Sequence, residues 1–126
     1  MSTMATSAGS QAIAAVVEAL ETAGITATRD AGAFYPQPVG VLVRLPTLTR
    51  RGLSSFTFTV PILVVSGDPL NDELPVDRVY ALADDVALAL AIDQYRPSSW
   101  AGSPNAEPLP AVELAATVTI TTGGAP

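Results

Sequence analysis

A chain of 126 residues without a single His, Lys or Cys has few routes to covalent chemistry. Serine-hydrolase triads need His, Schiff-base enzymes and Ser-Lys dyads need Lys, and the phosphate-binding loop needs its Lys. Thiol nucleophiles, thiolate metal sites and disulfides are excluded with Cys. What remains is carboxylate chemistry, for which the adjacent pairs Asp84-Asp85 and Asp72-Glu73 are the obvious candidates. Neighbours on a helix point in different directions, however, and acids at a helix start are accounted for by capping and the helix dipole. Asp68, Asn71, Asp72 and Glu73 supply oxygen ligands but lack the alternation, central Gly and distant Glu of a calcium loop. The expectation is a non-enzyme with no catalytic, cofactor-binding or metal-binding residue.

The other residues with a capacity for specific contact are cationic or aromatic. All six basic residues are Arg, against twelve acids and a formal charge of −6. Scattered Arg on an acidic chain does not supply the positive patch that phosphate backbones or anionic membranes require. The adjacent Arg50 and Arg51 beside Gly52 read either as a contact to an acidic partner surface or as a solvated turn. Arg96 and Trp100 lie in a Pro-rich stretch. Like Tyr95, Phe34 and Tyr35, Trp100 either anchors a protein interface or pins a loop onto its own core. Arg50, Arg51, Arg96 and Trp100 are therefore the candidate partner-interface residues. Hydrophobic residues make up 48% of the chain. A small domain this apolar has difficulty burying everything internally, which points to association with other chains. The first ten residues have no basic leader region, and Glu18 interrupts the apolar run that follows, so a soluble, non-secreted chain without a membrane span is expected.

These residues need elements to position them. Ile13, Val16, Val17 and Leu20 recur at helical spacing, with Ser10 suited to the N-cap and Gly24 to the C-terminal left-handed position. A short strand over 25–29 follows, then an extended connection through residues 30–38. Alternation over 39–45 predicts a strand ended by Pro46, and a stronger one runs over 56–65, where Pro61 implies a bulge or an edge. Residues 47–55 between them read as the long tip of a hairpin. A turn-rich segment, 66–75, leads into a second helix reaching residue 93 or 94, with Val76, Val79, Tyr80, Ala83, Val86, Ala87 and Leu90 on one stripe. Residues 95–110 read mainly as loop with room for a short strand, and a final strand alternates from Val112 to Thr121. Runs of strands without strict βα alternation predict one α+β domain over 10–122, flanked by mobile ends at 1–9 and 123–126. Its sheet should be mostly antiparallel, of about four strands, with both helices on one face.

With that order in place, the chain resembles the tail terminator proteins of long-tailed, siphovirus-like bacteriophages over nearly its whole length. The residues that carry the likeness are the helix ending Ala23-Gly24-Ile25 and the stretch Val41-Leu42-Val43-Arg44-Leu45-Pro46-Thr47-Leu48. The strand at 56–65, the helix at 76–92, Arg96-Pro97-Ser98-Ser99-Trp100 and Leu109-Pro110-Ala111-Val112-Glu113-Leu114 complete it. None is a motif of metal-ligand specificity. The resemblance implies a structural protein of the virion, forming a ring of six subunits that caps the tail tube at its head-proximal end. It further implies contacts with the tube protein and with a head-completion or neck protein, passage of DNA without specific binding, and assembly in the host cytoplasm. The alternatives are another neck or minor tail component, a non-viral peptide- or ligand-binding module, and a carboxylate-based hydrolase.

Overall fold

The computed structural model describes residues 7–30, 34, 39–67, 73–102, 105 and 108–121, without the side chains of 73–76. Tyr35, Asp68, Asn71, Asp72 and most of both terminal arms lie outside the described residues, and with them the calcium-loop and Asp72-Glu73 readings.

The first helix, α1 (Ala8–Thr22), starts earlier than Ser10 because Ser7 is the N-cap, its hydroxyl accepting the Ser10 amide at 3.1 Å. It ends where Gly24 adopts φ +84° and the Ile25 and Gly24 amides fold back onto the Leu20 and Glu21 carbonyls. After it, Thr28 forms a single parallel bridge to Leu42, a reduced form of the strand expected over 25–29.

β1 (Val39–Val43) stops at residues 44–46, and β2 (Thr47–Arg51) resumes along the same neighbour, β3 (Ser55–Ser66). The long tip expected over 47–55 is thus mostly strand, and the turn proper is residues 52–54. The β2 segment went unseen because all five of its residues are exposed, so no apolar alternation marks it. Pro61 is not on an edge strand but in the central strand, and the irregularity expected there is present: Val43 pairs with Ile62 and Thr47 with Thr59, so residues 44–46 oppose only residues 60 and 61. The Arg44 amide donates to the Pro61 carbonyl at 2.9 Å across this shift. A second irregularity falls in β2, between Leu48 and Arg50.

The second helix, α2 (Glu73–Leu90), begins three residues earlier than the apolar stripe indicates, with Pro75 tolerated in its first turn. It also stops short of residue 93. Ala91 takes φ 54°, and the Ile92 and Ala91 amides close onto the Ala87 and Leu88 carbonyls. The short strand for which the 95–110 segment left room is β4 (Arg96–Trp100), which holds Trp100 and pairs with β5 (Leu109–Thr121). The five strands form one antiparallel sheet, ordered β1-β3-β5-β4 with β2 beside β1's place on β3.

Both helices cover one face, which makes the fold α+β. Ala12, Ile13, Val16 and Leu20 of α1 and Val79, Ala83 and Val86 of α2 bury against Val60, Ile62, Val64, Val112 and Leu114. The opposite face carries its own smaller cluster of Leu42, Leu63, Val65 and Ala111, roofed by Phe34, Trp100 and Leu109. Beyond it that face becomes polar, with the Thr57 and Thr119 hydroxyls hydrogen-bonded at 3.1 Å. No helix among the described residues is long and apolar enough to cross a membrane.

Candidate functional site

The four residues singled out from the sequence occupy opposite edges of the sheet and do not form one site. On the β4 edge, Arg96 donates from Nε to Glu113 Oε1 at 2.7 Å across the β4–β5 ladder. Its guanidinium is committed to an intramolecular ion pair. Trp100 packs edge-on against Phe34, with ring centroids 5.0 Å apart, as part of the second cluster. Of the two readings open for Trp100, the pinning of a segment onto its own core describes these contacts.

On the other edge, Arg50 and Arg51 flank the turn on β2 and point to opposite faces. The register shift places Arg50 opposite Thr57, on the polar face, and Arg51 opposite Phe56. The Arg51 guanidinium lies 5.3 Å from the centre of the Phe56 ring, an exposed cation–π contact. Phe56 in turn lies against Phe58, so a short aromatic row leads from the hairpin toward the core.

Three exposed leucines and a further arginine share this hairpin and escaped the sequence reading. Leu45, Leu48 and Leu53 are exposed, and Leu53 at the turn is covered by nothing. Arg44 stands exposed at the β1–β2 interruption. The available signal was charge segregation. No carboxylate occurs between Asp30 and Asp68, while three of the six arginines fall there. The other three arginines face all twelve acids.

The carboxylates on α2 do not converge. Asp84 accepts the Tyr95 hydroxyl at 2.7 Å. That hydrogen bond, with smaller contributions from desolvation and the Asp84 charge, raises the Tyr95 pKa above the ordinary phenol value. Asp85 instead lines a groove of about 620 Å3 between the C-terminal end of α1 (Ala23, Gly24, Ile25) and Leu82 and Leu88 of α2. Leu88 is largely exposed there. A smaller hollow of about 350 Å3 at the β1–β2 interruption is lined by Arg29, Arg44, Leu45, Pro61 and Glu113. Among the described residues no group of three or more acidic side chains is arranged to hold a metal ion. The features with capacity for recognition are therefore the basic, leucine-bearing hairpin and the groove between the helices that Asp85 lines. A scan against protein-family models and a search of curated proteins find no match to this chain.

Proposed function

We propose that this protein is a tail terminator of a long-tailed bacteriophage: a ring-forming structural protein that caps the tail tube at its head-proximal end and presents the surface to which the head is joined. The observation that carries the reading is the exposed hairpin, in which Leu45, Leu48 and Leu53 stand among three arginines while β2 itself pairs with β3. An apolar, cationic projection of this kind is a cost to an isolated monomer and a binding element in an assembly. The resemblance itself rests on sequence stretches that include Arg96-Pro97-Ser98-Ser99-Trp100.

The mechanism is geometric and makes no bond. Repetition of one heterologous contact around a closing rotation gives a ring with two unlike faces, one for the tube and one for the neck. Once the ring is seated, the tube end no longer offers the surface that tube subunits recognise. An acidic chain lining the passage lets DNA through without tight phosphate contacts. Incubating purified tail tubes with gold-labelled protein and imaging them tests the assignment. Label confined to the head-proximal end supports it. Label along the shaft or at the distal tip points to another neck or minor tail component, and no label at all contradicts a virion role.

A further inference from the structure

We propose that the contact which builds the ring is the hairpin of one copy seated in the groove between α1 and α2 of the next. The inference rests on the ring-forming reading and names the two surfaces that reading requires.

Charge points to a second copy as the occupant. The hairpin end brings Arg50 and Arg51 with no acid nearby in sequence, while the groove presents Asp85, and Glu21 is exposed in the last turn of α1. The groove is also lined by the C-terminal end of α1, and neither helix has a basic residue in its last turn. The negative end of the α1 dipole is thus left for an external cation. Apolar surface matches as well: Leu45, Leu48 and Leu53 stand out from the hairpin, and Leu88 stands out beside the groove. Opposite charge would steer the approach and fix the register, and the leucines would supply the buried area.

The chain cannot satisfy this pairing within itself. The groove includes Val39, which pairs with Ser66 at one end of β3, whereas the hairpin turn joins the other end at Ser55. A 12-residue strand separates them by about 40 Å at ~3.3 Å per residue. One copy therefore offers a projection at one end and a receptor at the other. That is the head-to-tail arrangement which closes into a ring when the rotation permits.

The absence of native Cys makes the contact testable by site-directed cross-linking. Leu53→Cys and Leu88→Cys, both at exposed positions, are made singly and mixed in equal amounts, then treated with a short bismaleimide while native mass spectrometry reports assembly in parallel. The expected result is a heterotypic 53–88 dimer as the main product, and a ladder ending at the ring number when both cysteines are in one chain. Rings that form with only homotypic or no cross-links overturn this contact and leave the ring reading standing. A monomer at every concentration, with no cross-link whether or not purified tail tubes are added, overturns both.

Discussion

The Tyr95 hydroxyl donates to the Asp84 carboxylate at 2.7 Å, tying the segment that follows α2 back onto the helix it has just left. The Tyr95 ring also lies against Tyr80, with centroids 5.8 Å apart, so polar and aromatic contacts together fix the approach of the chain to β4.

This contact is pH dependent in a defined direction. Because the folded-state pKa of Tyr95 is raised, its contribution to stability is fully present below the ordinary phenol value of about 10 and is lost as pH rises through the higher folded value. Spectrophotometric titration should show Tyr95 ionising above the ordinary phenol range. In Asp84→Ala that late step should move down toward the ordinary range; a titration unchanged by the substitution contradicts the contact.

A backbone prediction concerns Ala91. A non-Gly residue at φ 54° carries a left-handed cost of about 1 kcal/mol that Gly avoids. The greater freedom of unfolded Gly takes part of this back, so Ala91→Gly should stabilise the fold by about 0.5 kcal/mol. Gly24→Ala, at the matching position of α1, should destabilise by about 1 kcal/mol. Denaturant unfolding of the two variants reads both signs.

The four arginine and tryptophan positions should separate into two behaviours. Trp100→Ala removes a half-buried ring from the second cluster and should cost about 2 kcal/mol. Arg96→Ala breaks a mostly exposed pair and should cost less than about 1 kcal/mol. Arg50→Glu with Arg51→Glu should lose no more than about 1 kcal/mol, chiefly the Arg51–Phe56 contact, yet weaken self-association at least tenfold. Thermal unfolding together with sedimentation distinguishes the two groups.

The face without helices contains a real core. Leu63 is 1% exposed and belongs to the cluster with Leu42, Val65 and Ala111. Leu63→Ala should therefore cost about 2–4 kcal/mol, in the range of a buried leucine truncation. A cost below about 1 kcal/mol would show that this face is solvated.

How far the sequence reached follows the amphipathic pattern. The helix stripes and the alternation in β3 and β5 were legible because each element buries one side against a core that the pattern records. β2 and β4 were not. Thr47-Leu48-Thr49-Arg50-Arg51 is exposed throughout, and Arg96-Pro97-Ser98-Ser99-Trp100 lies at an edge with four of five residues exposed, so neither carries a periodic signal. Pro61 signalled an irregularity that is present, although the extra residue lies on the neighbouring strand, at residues 44–46. The candidate interface was half visible. The Arg50-Arg51 pair stands out in the sequence, but the grouping of Leu45, Leu48, Leu53 and Arg44 around it depends on the β1–β3 and β2–β3 registers.

The claim on which everything else depends is closure into a ring, and native mass spectrometry across a range of protein concentration, with and without purified tail tubes, tests it most directly. The account predicts one discrete closed species of six subunits, formed by the protein alone or on addition of tubes, with few intermediates. A monomer or dimer that persists at every concentration and ignores the tubes would contradict it.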